Sequence, residues 1–303
     1  MHRFLGLVVV VVMGCGPLEE EVSGGLGAPL GHLEQAQKAD NGLSLNGLSL
    51  NGLSLNGLSL NGLSLNGLST QSFKDWFNGH PTLSDEVMRY VVRCALSHGQ
   101  SRSFTSQVTG VTYTWTGELG LAPSWGTGNA PTVTEQQLVS ACLLAHVNPY
   151  GVNVPISVLG LKADGTPIPI TKDELTTFNE TEACFFGNLF TNEGLHAGND
   201  RNSLSTQEST SRRCALSPSL SGTDPACPNV KRVGRCEALS CQLDASSKYY
   251  TRCTYNGVVY RPLTTRIRSA DIYSCGDGVC QVTESCGTGS TSDSCRADCG
   301  TCP

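Results

Sequence analysis

Charged and aromatic side chains are both scarce in this chain of 303 residues. Only 15% of the residues are charged and 6% are aromatic, and the formal net charge is −6. No segment concentrates lysine and arginine as a nucleic-acid-binding surface requires, so we expect no nucleic-acid partner. Low charge combined with abundant glycine, serine and threonine is typical of an extracellular, β-rich protein.

The sequence also lacks the short motifs that mark common catalytic centres. It contains no His-Glu-x-x-His zinc motif, no Gly-x-Ser-x-Gly nucleophile elbow, no phosphate-binding loop and no dinucleotide-binding fingerprint. The sequence therefore assigns no catalytic residue and favours a non-enzymatic protein.

Apolar runs are too short to cross a membrane as a helix, which needs about 20 residues. The run over residues 4–13 follows His2 and Arg3 and has the shape of an export signal. It ends in Val12-Met13-Gly14-Cys15, which resembles the lipobox of bacterial lipoproteins, although Met13 stands where Ala or Ser is commoner. We expect a signal peptide over residues 1–14 and a lipid on Cys15 that holds the chain to a membrane surface. The alternative is an ordinary cleaved signal that leaves Cys15 for a disulfide.

Cysteine usage agrees with export. The chain has 15 cysteines, so lipidation of Cys15 leaves an even set that can pair completely. Eight of these lie between residues 94 and 253, and six follow residue 274. Disulfides persist in oxidising compartments. We therefore expect a lipid-anchored, extracytoplasmic protein at the outer membrane or cell surface.

A repeat fills much of the segment after the signal. Asn-Gly-Leu-Ser-Leu occurs five times over residues 41–65, and a partial sixth copy covers residues 66–69. Residues 15–72 show no apolar periodicity, so we expect a disordered tether with the repeat as its flexible spacer. Two alternatives stay open. One is a short solenoid, because Asn-Gly favours tight turns and Leu-Ser-Leu a small strand. The other is a self-associating segment, because exposed leucines are unusual in a spacer.

Two short helices are predicted near the start of residues 73–274, a segment long enough for one domain with its own core. One begins near Pro81, and the other at a capping box assigned to Thr134 and Gln137. Each has an apolar face at helical spacing: Val87, Tyr90, Val91, Cys94 and Ala95 in the first, and Leu138, Cys142 and Ala145 in the second. We expect Cys94 and Cys142 to form a disulfide between these faces, as one choice among about a hundred connectivities.

The rest of this domain predicts mostly strands. Residues 104–118 and 151–161 alternate, and the apolar residues 182–190 suggest a buried strand bulged at Gly187. Residues 248–267, with Asn256-Gly257 between the strands, give the clearest hairpin. Residues 192–224 are polar and are expected to form loops. The predicted fold class is α+β, dominated by β-structure and stapled by about four disulfides.

Six side chains would be candidates for hydrolysis if the domain were an enzyme: Glu118, Glu174, Glu180, Glu182, His146 and His196. Two carboxylates can cleave a glycosidic bond when they converge. His146 lies one helical turn beyond Cys142, and such a pair can supply a nucleophile and a base. We expect Cys142 to be disulfide-bonded instead, which removes its thiolate.

The tail, residues 275–303, holds six cysteines in a segment too short for an apolar core, so we expect a disulfide knot. Its pattern is Cys-Gly-Asp-Gly-Val-Cys, then Glu-Ser-Cys, then Asp-Cys-Gly-Thr-Cys. This resembles a small Cys-rich module of secreted bacterial proteins and, more distantly, calcium-binding Notch-type repeats. Asp277, Glu284 and Asp298 are candidate Ca²⁺ ligands, because carboxylate oxygens suit this ion. The alternative is that the two aspartates only shape glycine turns. No other cofactor is expected.

The lipobox, the repeat and the tail together resemble the Cys-rich surface lipoproteins typical of myxobacteria. This resemblance implies location and anchoring, and it carries no catalytic residue. The leading hypothesis is a membrane-anchored lipoprotein that presents a binding or adhesion domain on a spacer, to an extracellular protein or polysaccharide. A surface-tethered hydrolase acting on polysaccharide, and a coat component that assembles through the repeat, are the alternatives.

Overall fold

A seven-stranded sheet organises the described part of the chain. The computed structural model describes residues 38–41, 43–44, 67–191, 193–217, 221–224, 226–289 and 293–302. In chain order the strands are β1 Lys38–Asn41, β2 Leu43–Ser44, β3 Ser101–Thr105, β4 Thr112–Thr116, β5 Val147–Asn148, β6 Val154–Gly160, β7 Glu180–Asn188, β8 Gly194–Asn199, β9 Glu208–Ser209, β10 Ser221–Thr223, β11 Lys231–Arg235, β12 Gln242–Leu243, β13 Tyr250–Tyr255, β14 Val258–Tyr260, β15 Leu263–Ile267 and β16 Tyr273–Ser274.

Helices are fewer and mostly short. They are α1 Gln71–Gly79, α2 Pro81–Ala95, α3 Pro123–Gly126, α4 Val133–Ala145, α5 Lys172–Thr177, α6 Arg213–Leu216 and α7 Arg296–Cys299, with 3₁₀ turns at Gly67–Ser69, Cys236–Leu239 and Ser269–Asp271. The mixed, sheet-rich content with several short helices agrees with the predicted α+β class.

The main sheet has the order β1-β6-β15-β7-β8-β11-β10. Its neighbours are antiparallel except for the parallel pair β8 and β11. Helix α4 packs on β7, β8 and β15, and α2 packs on α4; α1 and the β3–β4 hairpin in turn pack on α2. The sheet of β12, β13 and β14 lies on the opposite face of β7. The fold is therefore layered, with β7 buried on both sides.

Two cores result from this layering. The helix-side core consists of buried apolar side chains from α1, α2 and α4 and from the facing sides of β6, β7, β8 and β15. The hairpin-side core is small and consists of Cys184, Phe186, Cys236, Tyr250, Cys253 and Tyr260. Along β7, Ala183 and Phe185 enter the first core, and Cys184 and Phe186 enter the second, as the alternation of a strand requires.

The two predicted helices are present. The apolar face predicted for α2 is buried at all five positions, and Pro81 occupies its first turn, where a missing N–H does no harm. Helix α4 begins two residues earlier than the predicted capping box. Its cap is Thr132, whose side chain accepts from the Glu135 N–H, while the Glu135 carboxylate accepts from the Thr132 N–H at 2.6 Å. Thr132-x-x-Glu135 was the better match to the motif.

Several predicted boundaries are wrong. Residues 104–118 are not one strand: the hairpin of β3 and β4 turns through residues 106–111, where Ser106 Oγ accepts from the N–H groups of Val108 and Thr109. Helix α1 was not predicted; its N-cap is Thr70. Residues 192–224 are not all loop, since they contain β8, a strand of the main sheet.

The bulge in β7 is at Glu182 and not at Gly187. The pairing with β15 passes from Ala183 to Thr181 and skips Glu182, whereas the pairing with β8 is regular through Gly187. A bulge re-aims the side chain it displaces. Gly187 has another role: its φ is +136°, and a Cβ there would lie 2.2 Å from the Gly194 carbonyl oxygen.

Strands also occur inside the predicted tether. Strand β1 pairs antiparallel with β6 at one edge of the main sheet, and β2 pairs in parallel with β5. Backbone hydrogen bonding to an open sheet edge makes few demands on side-chain pattern, so apolar periodicity gave no sign of these strands. The other residues of the repeat copies up to residue 66, and Cys15 with its signal, lie outside the described residues.

Seven disulfides cross-link the described part of the chain. The domain over residues 73–274 holds Cys94–Cys142, Cys184–Cys236, Cys214–Cys227 and Cys241–Cys253, and the tail holds Cys275–Cys295, Cys280–Cys299 and Cys286–Cys302. The division into eight and six cysteines follows the prediction, and all tail bonds are internal. So many disulfides indicate an oxidising environment. The search for a long apolar helix across the described residues finds none that could span a membrane.

Candidate binding surface

The candidate carboxylates lie in separate settings. Glu118 forms a partly exposed ion pair with Arg93. Glu174 is buried and accepts a hydrogen bond from Ser157 Oγ at 2.6 Å. Glu180 is half-buried at the first position of β7. Glycoside cleavage uses two facing carboxylates, and the contacts of these three side chains join none of them to another.

Glu182 and His146 both lie near Arg212. The Glu182 carboxylate accepts from Arg212 Nε at 2.6 Å, and Arg212 also donates to the Val147 carbonyl oxygen at 3.3 Å. Glu182, His146 and Arg212 are almost completely buried. A substrate has no contact with such a centre, so it is a structural ion pair beside a buried histidine.

His146 is held as a neutral ring. Its Nδ1 lies 2.7 Å from the Cys142 carbonyl oxygen, which can only accept, so Nδ1 carries the proton. The pKa of His146 is lowered to about 3, chiefly by burial. The hydrogen bond to Cys142 acts against this shift, and the nearby Arg93 and Arg212 add to it. Cys142 is bonded to Cys94 with the Cα atoms 6.0 Å apart, so it offers no thiolate.

His196 belongs to a group of rings on the other face of the sheet. The aromatic cluster, as we call it, consists of Phe186, His196, Tyr255 and Tyr260. The ring centroids of His196 and Tyr255 are 4.7 Å apart, and Phe186 lies 5.4 Å from both His196 and Tyr260. Tyr255 is half-buried, while the other three are buried. The cluster therefore presents part of Tyr255 to solvent, while its other three rings are buried.

Strand register places these rings together. Phe186 on β7 is directly opposite His196 on β8. Tyr255 directly precedes the turn of the β13–β14 hairpin, and Tyr260 ends β14; in the turn Asn256 has φ +50° and Gly257 φ +77°. Positive φ at both central residues is the requirement of a type I′ turn, which Asn-Gly meets.

Helix α4 fixes the hairpin to the rest of the domain through one side chain. Gln137 donates from Nε2 to the Val259 carbonyl oxygen at 3.3 Å and accepts at Oε1 from the Arg261 N–H at 3.1 Å. A side-chain amide that bonds both ways holds the backbone at the end of β14. These two bonds therefore position the end of β14, where Tyr260 lies.

His196 offers a bare acceptor within the cluster. Its Nε2 lies 3.0 Å from the Glu193 carbonyl oxygen and must carry the proton, which leaves Nδ1 with a free lone pair. Nδ1 is buried and has no hydrogen-bond partner among the described residues. Burial lowers the pKa of His196, so the ring is neutral near pH 7.

Charges of both signs border the aromatic cluster. Lys231 Nζ lies 5.7 Å from the centroid of the Tyr255 ring, in a cation–π contact. The Glu193 side chain hydrogen-bonds the Tyr260 hydroxyl; burial first, and then this carboxylate, raise the pKa of Tyr260 to about 12. The Oε2 atom of Glu193 is buried and has no hydrogen-bond partner among the described residues. The surface beside Tyr255 thus offers a cation, while the unpaired acceptor atoms of Glu193 and His196 are buried within the cluster.

An exposed aliphatic side chain extends the surface. Val258 on β14 lies directly opposite Tyr255 on β13, so the two side chains share one face of the hairpin. An apolar side chain next to an aromatic ring is typical of binding sites. We call this region, from the aromatic cluster to Val258, the hairpin surface.

The two tail aspartates accept hydrogen bonds from backbone N–H groups in turns. Asp298 accepts from the N–H groups of Gly276 at 2.6 Å and Gly278 at 2.9 Å, and Asp277 accepts from the Val279 N–H at 2.9 Å. These are the bonds expected of aspartates that shape glycine turns.

Glu284, the third candidate Ca²⁺ ligand, accepts from the Gln281 N–H at 3.2 Å. Three sets of side chains in the described residues bring metal-binding atoms within 4.8 Å, and each includes two or three cysteines already bonded in disulfides. None of these sets joins Asp277, Glu284 and Asp298. Calcium in the tail stays a prediction.

Sequence reasoning did not identify Phe186, Tyr255 and Tyr260 as partners of His196. A signal was present, because two tyrosines flank the clearest hairpin in the chain. The prediction failed at β8, because residues 192–224 are expected to form loops whereas β8 places His196 in the main sheet. No protein-family model, curated protein or solved structure matches this chain.

Proposed function

We propose that this protein is a lipid-anchored, extracytoplasmic binding or adhesion protein whose hairpin surface contacts an extracellular partner. The observation that carries the proposal is the aromatic cluster, in which the half-buried Tyr255 ring contacts both Lys231 and the His196 ring. Rigid aromatic anchors with a polar rim are the features that dominate binding energy at interfaces. The lipobox at Cys15 and the repeat supply anchor and spacer.

The partner is an extracellular polysaccharide or protein. The accessible part of the half-buried Tyr255 ring can pack on the apolar face of a sugar or on a side chain, and Lys231 beside it favours a ligand that accepts hydrogen bonds. The hydrolase alternative draws no support from the described carboxylates, because Glu182 is sealed in its ion pair and Glu118 is paired with Arg93.

The anchor is tested with Cys15→Ala in a Gram-negative host. The wild-type chain is expected to take up labelled palmitate and to sediment with membranes, and the variant to lose both properties. Equal label in both chains, or membrane association without Cys15, would contradict lipidation at this residue.

Binding is tested with extracellular matrix from the producing cells, treated in parallel with periodate or with protease. Val258→Ser on the hairpin surface is compared with Val133→Ser at the start of α4, because both valines are exposed, by 36% and 58%. We expect at least about a tenfold loss of affinity for the first and no change for the second, since 1.4 kcal/mol is tenfold. Periodate sensitivity identifies a polysaccharide, and protease sensitivity a protein. Equal affinities would contradict the proposal.

A second candidate, assembly of a coat through the repeat, has one observation in its favour. Strand β2 belongs to the first repeat copy and pairs in parallel with β5. Because the five copies are identical, a later copy from a neighbouring molecule offers the same backbone partner to β5. Deletion of residues 46–65 keeps the first copy and should abolish self-association. An unchanged oligomer distribution would eliminate this candidate.

A further inference from the structure

Two disulfides of the hairpin-side core lie against each other. The Sγ atoms of Cys184 and Cys241, which belong to different disulfides, are 4.0 Å apart. The Sγ atoms of Cys184, Cys241 and Cys253 all lie within 4.8 Å of one another. We call Cys184, Cys236, Cys241 and Cys253 the four-sulfur cluster. Disulfides exchange when a thiolate attacks a neighbouring disulfide sulfur, and the sulfur atoms here are close to that contact.

Access to the four-sulfur cluster is one-sided. Cys241 is half-buried, whereas Cys184, Cys236 and Cys253 are completely buried. A thiol from solution must reach the sulfur that it attacks, so Cys241 Sγ is the point of entry. A thiolate released from Cys241–Cys253 would then be on Cys253, inside the core and beside Cys184.

Cys236 is placed to act as a leaving group. The Cys184 N–H donates to Cys236 Sγ at 3.1 Å, and the Gly198 carbonyl oxygen lies 3.1 Å from the same sulfur. The N–H would stabilise a thiolate at Cys236, and the carbonyl would accept a hydrogen bond from the thiol once it is protonated. Gly198 also leaves the necessary space, because a Cβ there would lie 2.9 Å from Cys184 Sγ.

We propose that the four-sulfur cluster is a thiol-acceptor site that passes a free thiol inward to Cys236. A thiol loses its proton to solvent, and its thiolate attacks Cys241 Sγ, forms a mixed disulfide and expels Cys253 as a thiolate. Cys253 attacks Cys184 Sγ, and a Cys184–Cys253 bond forms as Cys236 departs and takes a proton from solvent. One thiol enters and one is formed, and the number of disulfide bonds is unchanged, so the exchange consumes no oxidant or reductant.

The exchange has a structural consequence. Cys236 begins the 3₁₀ turn Cys236–Leu239 directly after β11, and its bond to Cys184 ties this segment to β7. Release of Cys236 frees this turn from β7, while the new Cys184–Cys253 bond ties β13 of the hairpin to β7. Thiol addition at Cys241 therefore moves the covalent attachment of β7 from the turn to the hairpin. The chemistry itself does not depend on what that surface binds.

The test uses the intact mature chain and reduced glutathione as the thiol. After brief exposure under native conditions, acid stops exchange, free thiols are labelled with N-ethylmaleimide in denaturant, and peptides are mapped by mass spectrometry. We expect glutathione on Cys241 together with maleimide on Cys236 and a new Cys184–Cys253 crosslink. Glutathione on Cys241 with maleimide on Cys253 would overturn the proposal, as would the absence of an adduct at Cys241.

A matched pair of variants isolates the second step without added thiol. Cys241→Ala leaves Cys253 free, and the control Cys227→Ala leaves Cys214 free in a loop of similar separation, 12 residues in the first disulfide and 13 in the second. We expect the maleimide label to shift from Cys253 to Cys236 in the first variant and to stay on Cys214 in the control. Label confined to Cys253 would overturn the proposal. The wild-type experiment decides the question if Cys241→Ala fails to fold.

Discussion

The two faces of the main sheet are stabilised in different ways. The helix-side core draws on 40 buried residues and the hairpin-side core on six, yet each contains two disulfides. Burial of apolar area stabilises the first in proportion to its size. The second is too small for burial alone, so its geometry depends on covalent links, as in small secreted domains.

This difference matters because the smaller core carries the surface assigned to binding. In the large core the side chains are held in place by contact with one another. In the small core some aromatic rings lie near solvent. Disulfides then keep those rings in place without covering them. The contributions of the two cores can be compared with matched variants: neighbouring residues on one strand, disulfides of similar span, and turn glycines.

The largest effect is expected from truncation of neighbouring phenylalanines on β7. Phe185→Ala empties a position in the helix-side core and should lower the free energy of unfolding by about 3–5 kcal/mol. Phe186→Ala should cost less, because the hairpin-side core can relax toward solvent around its cross-links, while binding through the aromatic cluster is lost. Urea unfolding measures both variants, and equal losses would contradict the contrast between the cores.

Removal of matched disulfides comes next. Cys94–Cys142 and Cys184–Cys236 span 48 and 52 residues, so loop closure gives each a similar contribution of about 4 kcal/mol at most. We expect the double alanine variants to lose comparable global stability. Only the second should speed hydrogen exchange in β13 beyond the rest of the chain. Uniform acceleration in both variants would show that the cross-links do not act locally.

Acid should weaken the helix-side core through His146. Its folded-state pKa is lowered by burial to about 3, below an unfolded value of about 6.5. The neutral ring therefore contributes stability that is complete above about pH 6.5 and is lost as the pH falls toward the folded value, by at most about 1.4 kcal/mol per pH unit. His146→Asn keeps a donor for the Cys142 carbonyl and should flatten this slope. An unchanged slope in urea titrations would remove His146 as the cause.

The smallest stability effect is expected at two turn glycines. Gly257, with φ +77°, and Gly165, with φ +85°, both have open space where a Cβ would be placed. Alanine at either position should cost about 1–2 kcal/mol from left-handed backbone strain. Only Gly257→Ala should also weaken binding, because it distorts the hairpin surface. Equal binding by both variants would contradict this prediction, because it would show that the geometry of the hairpin turn does not affect recognition.

Local signals in the sequence predicted the elements that depend on local physics. The face of α2 follows from helical spacing, and the β13–β14 hairpin from Asn256-Gly257. The pairing of Cys94 with Cys142 was inferred from two apolar faces, and the structure contains this bond. The tail's internal bonds follow from its cysteine density.

Elements fixed by tertiary contacts were missed. Strand β8 reads Gly-Leu-His-Ala-Gly-Asn, with no β-branched residue, and is a strand because β7 and β11 pair with it. The bulge at Glu182 serves a partner, Arg212, that lies 30 residues away. The aromatic cluster unites three separate segments, which no local periodicity could bring together.

Hydrogen exchange of the full mature chain, free and bound to the matrix fraction, tests the central claim most directly. The claim is that recognition occurs on the hairpin surface, so exchange should slow in Tyr250–Tyr255 and Val258–Tyr260 on binding. The β3–β4 hairpin, Ser101–Thr105 and Thr112–Thr116, is an internal control, because it packs on α2 in the other layer. The account predicts protection of the first hairpin with the control unchanged. Protection confined to the β3–β4 hairpin, or no protection in either, would contradict it.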